Sequence, residues 1–305
     1  MAVIAAAGSH DVIMQGPPGT GKTVLAKCIH GLLPDLSDEE FSQCKSIHSA
    51  AGLFLKSSRN RPPWLSPHTS TNMNGLIGSW SNLKGRGAIP GAWSLAHNGV
   101  LFLDEFAEFS RGTLEACRAP LESKMISLAR AAGSTTLPAS ALLIAEMNPC
   151  PCGFATDPAI ECTCSPNEKK KYLTKLSGPL LDRFDIILEI PRLKKSEFTK
   201  DTKDEETSEK IYKRVEKCIE KQMSRYKNHQ KNGTISVHIL NKFTKLSSNQ
   251  KELLGTCIEQ GILTARSCNK IIRVAQTLSD LENTDSIEDH HLTEAMQYRQ
   301  TLFKN

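Results

Sequence analysis

Gly16-Pro17-Pro18-Gly19-Thr20-Gly21-Lys22-Thr23 decides the fold of this chain. The stretch fits the phosphate-loop pattern GxxxxGK[ST]. Val12, Ile13 and Met14 before it read as a buried strand, and Val24 to Ile29 after it read as a helix. The pattern requires that order of strand, glycine loop and helix. Glycines let backbone N–H groups close around phosphate oxygens, and the helix N-terminus adds a favourable dipole. Lys22 is expected to reach the β- and γ-phosphates, and Thr23 to set its hydroxyl on Mg²⁺. ATP and Mg²⁺ are therefore the expected cofactors. The bland alternative, a chance glycine turn, does not account for the flanking segments.

Val100 to Leu103 form an apolar run that closes on Asp104 and Glu105. This predicts a buried parallel strand delivering carboxylates to its C-terminal edge, where open α/β sheets bind ligands. Asp104 is expected in the Mg²⁺ shell, and Glu105 as the general base that polarises the attacking water. Acid pairs end many strands, and this one gains weight by following a phosphate loop. Ala141 to Asn148 is a third apolar run with a polar end. Asn148 either orients water near the γ-phosphate, the sensor-1 role, or simply forms a turn before Pro149. Arg183 follows a Ser177-Gly178-Pro179 turn. Spacing leaves two roles open for it, a surface ion pair or a finger projected into a neighbour's nucleotide site.

At 305 residues the chain is long enough for about two domains. Aromatic residues are only 6%, which predicts a mostly aliphatic core, and the net charge of +5 is compatible with an anionic partner. No apolar run approaches the roughly 20 residues of a membrane span. Met1 to Ala7 lack the basic start of a secretion signal, so a helix opening the fold is expected, and the chain is expected in the cytoplasm. In a reducing compartment the ten cysteines belong to free thiols or metal ligation rather than to disulfides.

Four of them, Cys150, Cys152, Cys162 and Cys164, form two CxC pairs separated by nine residues. Four thiolates on two short knuckles suit tetrahedral Zn²⁺, and a loop with little core of its own would gain order from such a clip. Unligated thiols and a redox pair are the alternatives. Leu121 to Pro138 read as a β-hairpin between a helix and the Asn148 strand, with Lys124 and Arg130 as candidate DNA phosphate contacts or merely solvated charges. The loop Lys84-Gly85-Arg86-Gly87, with Trp80 and Trp93 nearby, is a second candidate, although such tryptophans more often pack into a core. His68 and His97 are given no chemical role. Lys200 to Glu206 lack an apolar anchor and read as a surface linker. Ile211, Val215, Ile219 and Met223 then recur at helical spacing, and Asn232-Gly233 breaks that helix. Ile235 to Leu302 keep helical spacing, a small helical lid.

Together these segments resemble the AAA+ superfamily and, within it, the magnesium chelatase-like ComM (YifB) family. The specific stretches include Ala5 to His10, Ile47 to Gly52, Ser94 to Glu105, Pro120 to Ser123, Met147 to Gly153, Leu176 to Asp185, Leu263 to Arg266 and Glu294 to Arg299. The resemblance implies an α/β fold: a AAA+ P-loop core with a parallel sheet flanked by helices, a β-hairpin insert and a C-terminal all-α lid. The expected domains are 1–191 for the core with its Cys-rich loop 150–166, 192–232 for a charged linker and helix, and 233–305 for the lid. Gly16 to Thr23 become Walker A, Asp104 and Glu105 Walker B, and Asn148 sensor 1. Arg183 becomes an arginine finger acting in trans, and Arg266 becomes sensor 2. A finger acting in trans implies a ring, a homo-hexamer. The family implies a DNA motor of branch migration in recombination and natural transformation. A chelatase-type subunit and a protein-remodelling regulator without DNA contact remain as alternatives. Family members usually begin with a Lon-protease-like domain, so the chain is expected to be a fragment or a shortened form. Ala92-Trp93 and Glu146 depart from the family pattern.

Overall fold

The short apolar runs before the glycine loop and before Asp104 are both strands. A computed structural model describes residues 1–55, 60–81, 87–130, 133–193, 206–227 and 230–299, with Arg130 described in its backbone only. In chain order the elements are α1 (Ala2–Gly8), β1 (Val12–Gln15), α2 (Lys22–Gly31), α3 (Asp38–Ala50), β2 (Trp64–Leu65), α4 (Met73–Ile77), β3 (Gly78–Ser81), β4 (Gly87–Pro90), α5 (Ala92–Leu95), β5 (Val100–Leu103), α6 (Arg111–Ala116), α7 (Arg118–Ser123), β6 (Met125–Arg130), β7 (Gly133–Pro138), β8 (Leu142–Met147), α8 (Pro166–Leu173), α9 (Gly178–Leu181), β9 (Ile186–Glu189), α10 (Ser208–Tyr226), α11 (Val237–Phe243), α12 (Ser248–Glu259), α13 (Ala265–Leu281) and α14 (Asp289–Gln297). Five strands order as β2-β5-β8-β1-β9. Val12 stands opposite Ile186, Trp64 opposite Val100 and Val100 opposite Leu142, all parallel. The fold is the expected α/β one, a parallel sheet flanked by helices with a helical C-terminal region. Parallel strands are covered on both faces, which is why β1, β5 and β8 are buried at every residue.

The chain divides into two compact units. One comprises Met1–Leu33, Thr156–Ala159 and Phe184–Asn305; the other comprises Pro34–Ala155 and Ile160–Arg183. In the first, α1 is a helix as its composition suggested, and Ile4 to Gly8 are buried. Its neighbours in the fold are α2, α10 and α13. Gln222 of α10 donates to the Ala7 carbonyl at 3.0 Å. A buried ionic cluster pins β9 and α13: Lys270 lies 3.0 Å from Asp185, and His10 bonds Thr277 at 2.7 Å. Burial alone would raise the Asp185 pKa, but the Lys270 ammonium and His10 override it and hold the carboxyl below its ordinary value. Arg299 donates to the Phe184 carbonyl and to Ser267 at the start of α13.

Asn232, read from sequence as a helix breaker, is fully buried. It donates to Thr277 and Asp280 and accepts from the Tyr226 hydroxyl at 2.6 Å. It is therefore also a polar hub that ties α10 to α13.

In the second unit β6 and β7 pair from Met125–Pro138 to Arg130–Gly133, the foreseen hairpin. A second hairpin, β3–β4, stands beside it. Trp93 is fully buried in α5, a core residue, and Trp64 stacks on Phe102 with ring centres 5.2 Å apart. Phe106 and Phe109 join Trp93 among the largest fully buried side chains, so the largely aliphatic core has aromatic centres. Buried His97 takes the Ser140 backbone N–H on Nδ1, and burial lowers its pKa to about 4. The basic loop at Lys84 and the linker from Lys200 lie outside the described residues, apart from Gly87 and Glu206 at their ends. Among the described residues no helix is long and apolar enough to cross a membrane.

Candidate nucleotide site

The glycine loop follows β1 directly. Gly19 and Gly21 take φ of +76° and +84°, where an L side chain is strained. Gly16 has a different reason: a Cβ there would lie 2.2 Å from the Ile190 carbonyl oxygen. Pro17 is buried, Pro18 exposed, and the Thr20 hydroxyl donates to the Pro17 carbonyl at 3.0 Å. Lys22 is buried, and its ammonium donates to the carbonyls of Gly16 at 2.8 Å and Pro17 at 2.9 Å. Thr23 is the second residue of α2, whose N-terminus has no side-chain cap. Backbone N–H groups, a helix N-terminus and a lysine converging on one loop fit a polyphosphate.

Asp104 and Glu105 stand exposed immediately after β5. Glu105 has φ +48°, unusual for a residue with a side chain. It starts a short 3₁₀ turn, Phe106–Glu108, that leads the chain off the strand. Asn148 follows β8, the neighbour of β5, so the structure brings these three polar side chains to adjoining strand ends. Asn148 is half-buried, and its backbone N–H bonds to Tyr172 of α8. Lys175, just past α8, pairs with Glu108 at 3.2 Å. Glu146 is buried within β8.

Arg183 follows α9 and is held within its own chain. Its guanidinium reaches Glu122 at 2.7 Å and donates to the carbonyls of Arg118, at 3.1 Å, and Pro179. Its side chain is 11% exposed. Glu122 is a partner that sequence reading did not single out, because nothing local links positions 61 residues apart. Arg266 is exposed in the first turn of α13, where the Thr264 hydroxyl caps the Ser267 N–H.

The four cysteines converge. Cys150 and Cys152 sulfurs are 3.3 Å apart, Cys150 and Cys162 3.7 Å, and Cys152 and Cys162 3.5 Å. The Cys152 N–H points at the Cys164 sulfur at 3.3 Å. A tetrahedron with metal–sulfur bonds of about 2.3 Å has edges of about 3.8 Å. These spacings approach that edge and are far from a disulfide bond, so the donor set fits zinc. The Phe154 backbone N–H leads the effects that lower the Cys152 thiol to about 5, while burial leads those that raise Cys150 and the neighbouring thiols help to raise Cys164.

Lys124 is half-buried at the root of the β6–β7 hairpin with φ +54°. Arg130 occupies the hairpin's tip-side end, opposite Gly133. Trp80 of β3 and Leu128 of β6 line a cavity of about 310 Å³ with Met73 and Ile77.

Comparison with known proteins accords with this architecture. The family described as magnesium chelatase, subunit ChlI, matches residues 1–198, and its C-terminal counterpart matches residues 205–299. YifB of Escherichia coli (strain K12) is 42% identical over 301 residues, 97% of this chain and 57% of that protein. Competence protein ComM of Haemophilus influenzae is 38% identical over 301 residues, again 97% and 57%. Probable DNA helicase MCM9 of Oryza sativa subsp. indica is 26% identical over 181 residues, 59% of this chain and 21% of that protein. The chain thus spans 57% of the length of YifB and ComM. With both family models matched and likeness running through phosphate loop, sheet and C-terminal helices alike, the chain belongs to the magnesium chelatase-like AAA+ family that includes YifB and ComM.

Proposed function

We propose that the chain is an ATP-hydrolysing ring motor acting on DNA, a branch-migration helicase that works in the cytoplasm as a homo-hexamer. Residues 1–191 serve as its ATPase core and 233–305 as its lid, joined by 192–232. Gly16 to Thr23 bind ATP and, with Asp104, Mg²⁺. Glu105 activates water, Asn148 orients it, Arg266 senses the phosphates, and Arg183 serves a neighbouring protomer. Cys150, Cys152, Cys162 and Cys164 hold structural zinc.

The observation that carries the ATPase half is the buried Lys22 ammonium, turned into a glycine loop at an uncapped helix N-terminus. The DNA half is supported by relatives named a competence protein and a probable DNA helicase. The β6–β7 hairpin with Lys124 and Arg130 adds to it.

The test is steady-state ATP hydrolysis by the full chain, with and without single-stranded or branched DNA, across a salt series. Hydrolysis stimulated by DNA, with stimulation falling steeply as salt rises, is expected. Hydrolysis indifferent to every DNA overturns the motor. The family match supports a second reading, a chelatase-type subunit. Stimulation by a partner enzyme alone would then be its sign.

A further inference from the structure

We propose that the four-cysteine site is a clamp on the sensor-1 turn: bound zinc fixes Asn148, and losing the metal slows hydrolysis without weakening nucleotide binding. This rests on the zinc and Asn148 assignments above.

The covalent path is short and stiff. Asn148 is followed by Pro149, Cys150, Pro151 and Cys152, and each proline fixes one backbone torsion. Cys150 is buried, its carbonyl accepts the Gly153 backbone N–H at 3.0 Å, and its sulfur lies 3.3 Å from that of Cys152 and 3.7 Å from that of Cys162. The position of this knuckle therefore sets the position of Asn148 two residues away.

The second knuckle leads into α8. Cys164 immediately precedes Ser165, which caps the helix reciprocally with Glu168, and Pro166 opens the first turn. Seven residues into α8, buried Tyr172 bonds to the backbone N–H of Asn148. Lys175 lies 5.5 Å from the Tyr172 ring centre and pairs with Glu108, three residues after Glu105. A closed circuit results, from Asn148 through Cys150, the metal, Cys164 and α8 back to Asn148. Within it, Gly153 alone of residues 153–161 is buried. That stretch cannot hold the two knuckles together by apolar packing, so the clamp depends on the ion.

The experiment starts from the full chain purified without chelator, with zinc counted by elemental analysis. One zinc per chain is expected. Zinc is then stripped by a thiol-reactive reagent with chelator, followed by reduction. ATP affinity is measured by a fluorescent analogue and hydrolysis by single turnover. Stripping is expected to cut the hydrolysis rate about tenfold while leaving affinity within about twofold, with recovery on adding zinc. Zinc near zero per chain overturns the metal assignment and the clamp with it. Full zinc with an unchanged rate after stripping overturns the clamp and leaves the metal. Should stripping unfold the chain, Tyr172→Phe decides, because it keeps every thiol and removes only the hydroxyl facing Asn148. Full zinc with a slowed rate supports the clamp, and a wild-type rate overturns it. Asn148→Ala with normal hydrolysis would instead remove the sensor-1 role itself.

Discussion

Glu105 shows how much a single residue is asked to do. It holds a left-handed backbone conformation at φ +48°, which costs of order 1 kcal/mol for a residue with a side chain. The turn it starts carries the chain away from β5 and leaves the carboxylate exposed. Glu105→Gln keeps shape and hydrogen bonding but cannot take a proton. Hydrolysis should fall by about 10²–10⁴-fold with ATP affinity retained, a split that equilibrium binding beside turnover measures directly. Arg183 presents the opposite case, a charge already spoken for. The Glu122 carboxylate, 2.7 Å away, competes with any phosphate for the guanidinium. Glu122→Gln weakens that competitor, so if Arg183 acts on a neighbouring protomer, turnover per protomer should rise severalfold at high protein concentration. Unchanged or lower turnover would show that Glu122 does not restrain the arginine.

At the scale of elements, α13 is bolted at its first turns. Lys270 pairs with fully buried Asp185, and Arg299 bonds Ser267 one residue beyond Arg266. Lys270→Met would leave the Asp185 carboxylate buried without its ammonium partner, held only by His10, the Asp11 backbone N–H and the field of Arg273, at a cost of about 3–5 kcal/mol at pH 7. The native carboxyl is held below its ordinary value, so its contribution is present above the unfolded pKa of about 4 and is lost as pH falls. The deficit of the variant should therefore narrow as pH falls below about 4, which urea unfolding at several pH values would reveal. The β6–β7 hairpin carries a separate expectation. Replacing Lys124 and Arg130 by alanine should weaken DNA binding alike for all sequences and lower the salt slope by about 1 per lost contact. Binding titrations at several salt concentrations check this.

The elements most legible in sequence were those whose chemistry is local. The glycine loop, the acid-ended strand β5 and the paired CxC knuckles each declare themselves within fifteen residues. What escaped notice depends on distant partners. Asn232 read as a turn, but Tyr226, Thr277 and Asp280 make it a buried hub. Trp93 offered no local sign of whether it would stack on a ligand or fill the core. Tyr172 carries no motif at all, Glu122 lies in a family-like stretch that gives it no chemical role, and what each does comes only from what the fold sets beside it.

At the scale of the whole molecule, the proposed parts are divided between the two compact units. Gly16 to Thr23 and Arg266 lie in one, while Glu105, Asn148 and Arg183 lie in the other. If Arg183 completes a neighbour's site, hydrolysis per protomer must climb with protein concentration before levelling off. A rate per protomer that stays flat over a range where sedimentation shows assembly would exclude a contribution in trans. The threading of the first unit has a consequence of its own. It takes its opening residues Met1–Leu33 and its closing stretch Phe184–Asn305 from far apart in the chain. A ribosome therefore releases α1 and β1 long before it has made β9, α10 and α13. During that interval the apolar faces of the opening segment stay exposed and invite capture by chaperones. Synthesis should show a late, abrupt gain of protease resistance in this unit, once β9, α10 and α13 have emerged.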